Sequence, residues 1–338
     1  MTRSLMLLMF VLAICCAGCS KKREAESGPA QMKVGLVFDV GGRGDKSFND
    51  AAYRGLEKAR NELGTPFEYI EPGPGADREA ALRQLATRND IAIIFGIGFI
   101  FTDDITNIAR EFPDKKFACV DYTVDTSKPL PSNLVAIEFK EEEGSFLVGA
   151  LAALMSKNSM IGFIGGMESP LIKKFEAGYV AGAHYANPNC RVLISYAGTT
   201  GEAFKNPGKG KELALGQYSQ GADIIYHASG VTGLGVFEAA RELHKLAIGV
   251  DSDQFHEAPG YILTSMTKIV DTAVFETIRS VKEGRFEGGK VNMFDLKSKG
   301  IDYVYDENNR NLIPDSIRNK VEAIRNKIIS GQIVVPSR

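Results

Sequence analysis

The residues best suited to chemistry stand directly after the first predicted strand. The apolar run Val34–Phe38 has the length of a strand, and an acid follows at Asp39. Glycines at 41, 42 and 44 allow a tight loop, after which Phe48 and Asn49 open a helical pattern. In open α/β sheets, ligands bind beyond the carboxyl ends of the strands. An aromatic ring beside carboxylates that accept hydrogen bonds favours a flat, polar, neutral small molecule.

Two further acids and a glycine stand at or just after the ends of later predicted strands. Asp121 and Asp251 end apolar strand patterns, where an acid without a partner is rarely buried. Gly230 opens the stretch Gly230-Val-Thr-Gly-Leu-Gly235, whose spacing matches neither dinucleotide-binding nor P-loop patterns. We therefore interpret Gly230 as a close approach of the backbone to a ligand.

The sequence contains no pattern typical of an enzyme, a metal site or a cofactor site. The histidines at 184, 227, 244 and 256 lack the spacing of metal ligands, and no Gly-x-Ser-x-Gly motif occurs. Asp39 and Asp251 could form an acid–base pair, but we identify no positioned water or nucleophile to act with them. We expect a binding protein without catalytic residues and without a cofactor, and we expect His227 to lie in the core or at a rim.

Strand and helix patterns alternate along the body of the chain, which implies parallel sheets covered by helices. The predicted strands are 34–38, 91–95, 116–120, 134–139, 160–164, 191–196, 224–227, 247–250 and 261–266. The predicted helices are 48–63, 76–88, 104–111, 144–156, 170–185, 209–219, 232–245, 268–283 and 315–330. The two halves resemble each other, so we expect two α/β lobes.

Composition limits the classes of partner and the redox chemistry. The chain has 40 basic and 42 acidic residues, so no basic excess is available to neutralise the phosphates of a nucleic acid. Three of the five cysteines lie in or at the end of an apolar leader. Cys119 is predicted to be a small core residue. We expect it not to pair with Cys190, because we place the two in different lobes.

The leader has the pattern of an export signal. An apolar run from Leu5 to Ala17 follows Arg3, and it is shorter than the about 20 residues that a membrane span needs. It indicates a signal peptide over 1–18, followed by a polar, flexible tether over 19–32. The ending Ala17-Gly-Cys-Ser20 resembles a bacterial lipobox, which implies lipid modification of Cys19. Cys16 stands where leucine is usual, so an ordinary cleavage near Ala17 is the alternative.

Several short blocks in fixed order resemble those of one protein family. They are Asp45-Lys-Ser-Phe-Asn49, Lys116-Phe-Ala-Cys-Val-Asp121, Glu143-Gly-Ser-Phe-Leu-Val-Gly149, Gly162-Phe-Ile-Gly-Gly-Met167, Phe175-Glu-Ala-Gly178, Gly249-Val-Asp-Ser-Asp-Gln254 and Leu263-Thr-Ser-Met-Thr-Lys268. From about residue 33 onward the chain is similar to the BMP (basic membrane protein) family of bacterial lipoproteins, of the purine nucleoside receptor A type.

The resemblance implies a type I periplasmic-binding-protein fold, with two doubly wound parallel-sheet lobes joined by three crossovers. The crossovers are expected near 138–142, 252–258 and 286–292. The N-terminal lobe would then contain 33–139 and 256–288, and the C-terminal lobe would contain 140–255 and 289–338.

The resemblance also implies roles for individual residues around a purine base. Phe48 and Phe204 match the two aromatic rings that sandwich the base, and Phe204 lies in Phe204-Lys-Asn-Pro-Gly-Lys-Gly210. Asn49 and Asp121 match groups that face the edge of the base. From the residues alone, Phe48 could instead pack on the first sheet.

Asp39, Asp251 and Lys268 match groups that hold the ribose hydroxyls in the family. Without the family, Asp39 could simply cap the glycine-rich turn. Asp45 and Lys46 are expected to serve the loop or the helix start rather than a ligand.

The family implies a substrate-binding protein of an ABC-type importer that binds a purine nucleoside between its lobes. Its partners would be a permease and, through the lipid anchor, a bacterial membrane, with the domain outside the cytoplasm. One alternative keeps the fold but binds riboflavin or another flat heterocycle, and a second is a nucleoside hydrolase or phosphorylase. A cytoplasmic regulator with the same lobes is disfavoured, because no helix-turn-helix precedes Val34.

Overall fold

Two six-stranded sheets organise the residues that the computed structural model describes, which are 32–73 and 77–338. The predicted signal peptide, most of the tether and Cys19 lie outside these residues. Among the residues described, every helix is either too short or too polar to cross a bilayer.

The first sheet is entirely parallel and has the strand order β11-β5-β4-β3-β1-β2. Its strands are β1 (Lys33–Val37), β2 (Phe67–Ile70), β3 (Ile91–Ile97), β4 (Lys116–Val120), β5 (Leu134–Phe139) and β11 (Lys290–Phe294). The helices of this lobe are α1 (Phe48–Leu63), α2 (Arg78–Ala86), α3 (Thr102–Glu111) and α8 (Val270–Lys282). α8 packs against α1, where Gly55 allows close contact with the backbone of Asp271.

The second sheet has the order β12-β10-β9-β8-β6-β7, and only β12 runs antiparallel to its neighbour. Its strands are β6 (Met160–Met167), β7 (Arg191–Gly198), β8 (Ile224–Ala228), β9 (Leu246–Asp251), β10 (Ile262–Lys268) and β12 (Ile301–Tyr303). Its helices are α4 (Glu141–Met155), α5 (Pro170–Ala186), α6 (Pro207–Ser219), α7 (Thr232–Glu242) and α9 (Asp315–Ile329).

The chain passes between the sheets after β5, after β10 and after β11. Two parallel-sheet lobes with three crossovers form the predicted type I periplasmic-binding-protein fold, which is therefore confirmed. Each lobe winds in the same order, so β1 to β5 of the first correspond to β6 to β10 of the second.

Two of the expected lobe boundaries are wrong. The boundary at 256 placed 262–268 in the first lobe, but β10 pairs with β9 in the second sheet, with Met266 beside Val250. The boundary at 288 placed 290–294 in the second lobe, but β11 pairs with β5 of the first sheet. The second and third crossovers therefore follow Lys268 and Phe294. Apolar patterning predicts that a segment is a strand, but hydrogen-bonded neighbours decide which sheet it joins.

The apolar positions that predicted the first helix form its buried face. Ala52 and Leu56 are completely buried, and α1 ends where Gly64 adopts the left-handed conformation with φ of 64°. Cys119 is buried in β4 of the first lobe, and Cys190 is buried just before β7 of the second. Both are free thiols, so the prediction that they do not pair is confirmed.

Candidate functional site

One cavity between the lobes brings together all eight predicted binding residues. The first lobe contributes Asp39, Phe48, Asn49 and Asp121, and the second contributes Phe204, Gly230, Asp251 and Lys268. Together with the open solvent at its mouth, the cavity contains about 520 Å³ of space that no protein atom occupies. Among the described residues, no group of three or more His, Cys, Asp or Glu side chains is arranged to hold a metal ion.

Asp39 is held in the turn that follows β1. Its backbone N–H donates to Asn49 Oδ1 at 3.1 Å, and its own Oδ1 accepts from the N–H of Val40 at 2.6 Å. Gly98 has a φ of 110°, and a Cβ at that position would overlap the Asp39 carboxylate. Burial raises the pKa of Asp39 to about 7, although the Val40 N–H opposes the change. Asp39 therefore caps the turn and also lines the cavity.

Asp45 organises the start of α1, as the sequence predicts. Its carboxylate accepts hydrogen bonds from the backbone N–H groups of Ser47, Asn49 and Asp50. It also accepts from the Asn49 amide nitrogen at 3.1 Å. Because Asn49 Oδ1 is used by Asp39, the hydrogen bonds of the described residues leave Asn49 one amide hydrogen for a ligand. Asn49 can therefore donate one N–H to the cavity, while its oxygen keeps one lone pair.

Asp251 connects the two lobes at the edge of the cavity. Its Oδ2 lies 2.8 Å from the hydroxyl of Ser47, the residue immediately before α1. The same hydroxyl lies 3.0 Å from the carbonyl oxygen of Val250. Burial raises the pKa of Asp251, with the Lys268 charge opposing this effect. Asp251 is therefore a buried acceptor next to a direct contact between the lobes.

Lys268 forms the centre of a buried ionic cluster at the end of β10. Its Nζ donates to both carboxylate oxygens of Asp121 at 2.8 Å and to Glu141 Oε1 at 3.1 Å. Burial alone would lower the pKa of Lys268, but the carboxylates of Asp121, Glu141 and Asp251 together raise it. The side chain therefore remains an ammonium, and its three N–H groups match these three acceptor atoms.

Within the described part of the chain, four phenylalanines line the cavity, two more than the sequence identified. Phe48 begins α1, and Phe204 ends a short 3₁₀ turn that follows β7. A Cβ at Gly166 would overlap the ring of Phe204, so β6 passes directly beneath that ring. Phe99 and Phe175 also line the cavity. The signals for these two were present, because Phe175 lies in one of the family blocks and Phe99 follows the end of β3.

Gly230 lies beside a buried network that fixes the hydroxyl of Ser229. Gly230 has a φ of 56°, which favours glycine. His227 is completely buried, and its Nε2 donates at 3.1 Å to Gln254 Oε1, which also accepts from the N–H of Val250. Burial lowers the pKa of His227 to about 4, so the ring is neutral. His227 is a core residue, as predicted.

The tautomer of His227 determines what Ser229 offers to the cavity. Because Nε2 of His227 donates to Gln254, Nδ1 is the acceptor, and the Ser229 hydroxyl donates to it at 3.3 Å. Ser229 also lines the cavity. Its oxygen can therefore accept from a ligand while its hydrogen is used internally. Together with the four aspartates of the lining, Asp45 among them, it makes the polar lining rich in acceptors, next to several aromatic faces.

Comparison with known proteins agrees with this architecture. Residues 32–338 match the Bmp family model, described as ABC transporter substrate-binding protein PnrA-like. Basic membrane protein A of Borreliella afzelii is 36% identical, over 94% of this chain and 95% of that protein. An uncharacterized lipoprotein of Pyrococcus abyssi is 35% identical, over 88% of this chain and 74% of that protein.

A solved structure shows the same fold. The crystal structure of an ABC transporter solute-binding protein from Aeropyrum pernix K1 matches with a TM-score of 0.82 and 29% identity. The match covers 91% of this chain and 94% of that one. The family predicted from the sequence is confirmed, and this chain belongs to the Bmp family of ABC transporter substrate-binding proteins.

Proposed function

We propose that this protein binds a purine nucleoside between its lobes and delivers it to the permease of an ABC-type importer. The observation that carries the proposal is the lining of one cavity by Phe48 and Phe204, which come from opposite lobes, together with four aspartates, three of them buried. Aromatic faces suit a planar base, and carboxylates suit the hydroxyl and N–H groups that a nucleoside donates.

The base would be held by rings from both lobes. Stacking on an aromatic side chain contributes about 1–3 kcal/mol per base, and it tolerates any purine because each has two flat faces. At the edge of the base, the remaining amide hydrogen of Asn49 suits an acceptor atom. The carboxylate of Asp121 suits a ring N–H or an amino group.

The sugar would be held by Asp39, Asp251 and Lys268. Each aspartate can accept from a hydroxyl hydrogen, and the ammonium can donate to a hydroxyl oxygen. A ligand without these hydroxyls leaves buried polar groups unpaired, which costs about 1–3 kcal/mol for each group. The proposed site therefore favours nucleosides over free bases.

Mass spectrometry of the ligand released on denaturing the purified protein tests the class of ligand. We expect a purine nucleoside, and a riboflavin signal would favour the flat-heterocycle alternative. Titration calorimetry with adenosine, guanosine, inosine and adenine then ranks the ligands. Equal affinity for adenine and adenosine would contradict the proposed contacts to the sugar. Free base that accumulates during incubation with a nucleoside would favour the enzyme alternative.

We further propose that Cys19 carries the lipid that holds this domain at the outer surface of a bacterial membrane. The pattern around Cys19 supports this, as do the names of relatives, which include a lipoprotein and a basic membrane protein. Stable anchoring needs more than one acyl chain. Cys19→Ala should release the domain to the soluble exported fraction or leave the precursor uncleaved, whereas Cys15→Ala should not. Wild-type protein that is fully soluble with an unmodified N-terminus would contradict the proposal.

A further inference from the structure

The buried ammonium of Lys268 has two kinds of partner. Asp121 lines the cavity, so a ligand can reach it, whereas Glu141 is not among the residues that line this cavity. Glu141 is completely buried and is the first residue of α4, immediately after the chain first crosses between the lobes. Only one of the two carboxylates next to Lys268 can therefore be engaged directly by a bound ligand.

A ligand that donates to Asp121 competes with Lys268 for the same oxygens. Two of the three hydrogen bonds of the ammonium go to Asp121, and since a carboxylate can accept about four hydrogen bonds, a donating ligand weakens these two without breaking them. The bond to Glu141 at 3.1 Å then remains. A buried charge that loses its partner is strongly unfavourable. Glu141 thus lets Lys268 stay charged and in place while its other N–H groups become available to the ligand.

The second oxygen of Glu141 lies near a cation but accepts no hydrogen bond. Oε2 of Glu141 has no hydrogen-bond partner among the described residues, and Lys174 Nζ lies 3.6 Å away, within the range of an ion pair. Lys174 is partly exposed. Among the described residues, the carboxylates that form an ion pair with Lys268 are those of Glu141 and Asp121. Removal of the Glu141 charge would leave Asp121 as the sole anionic partner of Lys268 within hydrogen-bonding distance.

We propose that Glu141 is a positioning residue that holds Lys268 for the sugar hydroxyls of the ligand and so sets the preference for a ribose. The inference rests on the proposed nucleoside function and deepens it. Without the Glu141 carboxylate, Lys268 is drawn more fully to Asp121 and its N–H groups are less available to the sugar hydroxyls. The loss should fall on ligands that carry hydroxyls and should spare those that do not.

The test compares Glu141→Gln with Glu142→Gln, the adjacent acid, which forms no ion pair with Lys268 in the described structure. Calorimetry measures affinities for adenosine and guanosine and for their 2′,3′-dideoxy analogues. In the wild type the ribosides should bind more tightly. Glu141→Gln should reduce this preference by about tenfold, the effect of one hydrogen bond to a charged group, and Glu142→Gln should leave it unchanged.

A double variant separates positioning from a general structural role. Lys268→Met should remove the part of the preference that Lys268 supplies, and adding Glu141→Gln to it should reduce the preference no further. Glu141→Asp keeps the charge and should retain part of the preference, which provides a readout if Glu141→Gln does not fold.

The outcomes distinguish this inference from the proposed function. Equal loss for ribosides and dideoxy analogues in Glu141→Gln, or a preference that survives the substitution, would overturn the role of Glu141 alone. A wild type that binds no nucleoside, or that binds both kinds of ligand equally, would overturn the proposed sugar contacts and this inference with them.

Discussion

Asp121 and Asp251 occupy equivalent positions in the two lobes and share an unusual backbone conformation. Each lies at the carboxyl end of its lobe's fourth strand, with φ of 60° and 63° respectively. Asp is one of the few residues other than glycine that adopts this left-handed region at modest cost. The two lobes therefore place a tight turn and a carboxylate at matching points, and both carboxylates line the cavity.

The backbone at position 251 can be tested with two substitutions. Asp251→Asn should keep the free energy of unfolding within about 1 kcal/mol of the wild type, because Asn tolerates the left-handed region and can still accept from Ser47. Asp251→Val should be less stable than Asp251→Asn by about 1–3 kcal/mol, because a β-branched residue is strained there. Urea denaturation measures both values. Equal stabilities would show that residue 251 is not held in this conformation.

Phe48→Ala should weaken nucleoside binding by about 1–3 kcal/mol, the contribution of one stacked ring. The ring is only partly buried and begins α1, so the fold should remain intact, as circular dichroism can check. Phe48→Leu keeps apolar volume without a flat face and should recover only part of the affinity. A dissociation constant that calorimetry finds unchanged in Phe48→Ala would remove this ring from the binding site.

The ends of the parallel strands were the part of the site that the sequence predicted most directly. Asp39, Asp121 and Asp251 each follow or end an apolar run, and parallel strands bring such ends to one edge. The partners of these acids were not predictable in this way. Lys268 and Asp121 are separated by 147 positions in the chain, and no local pattern indicates that they form an ion pair.

Short strands at or near sheet edges were the elements that patterning missed. β2, β11 and β12 have three to five residues each, and β11 is largely exposed, so none shows a continuous apolar run. They are strands because they form hydrogen bonds with a neighbouring strand, and the local sequence does not show which segment that neighbour is. Phe175 was missed as a lining residue, and Glu141 as a partner of Lys268, for a related reason, because helix packing decides what a helical side chain contacts.

Nucleoside affinity should depend on pH through Asp39. Its pKa is raised to about 7 by burial, and Asp121 and Asp45 raise it further while Arg78 and the Val40 N–H oppose them. A hydroxyl that donates to the carboxylate favours the ionised form, so the pKa should be lower in the complex. Binding should therefore be constant above about pH 8 and weaken below about pH 7, by at most about tenfold per pH unit.

Asp39→Asn isolates this effect from the other buried acids. The variant should bind more weakly at pH 8, and its affinity should change less between pH 8 and pH 6 than that of the wild type. Any dependence of affinity on pH that remains in this variant would come from Asp121 and Asp251, whose pKa values are also raised by burial. Calorimetry in buffers of different ionisation enthalpy also counts the protons released on binding. If the affinity of Asp39→Asn changes with pH as much as that of the wild type, Asp39 is not the titrating group.

Gly166→Ala tests whether the position of the Phe204 ring matters for binding. Gly166 does not itself line the cavity, but a Cβ there would overlap Cε1 and Cδ1 of Phe204 and force the ring to move. Affinity for a nucleoside should fall by about 1–3 kcal/mol if that ring stacks on the base. Gly216→Ala is the matched control, because Gly216 lies on an exposed part of α6 with open space around its Cβ position.

The control should stabilise the protein by up to about 1 kcal/mol, because alanine is the better helix former, and it should leave affinity unchanged. Thermal unfolding and calorimetry on both variants separate effects on stability from effects on binding. If Gly166→Ala folds and binds as tightly as the wild type, Phe204 does not stack on the ligand. The cavity would then hold the base by Phe48 with another ring, and Phe99 and Phe175 are the lining residues that could supply it.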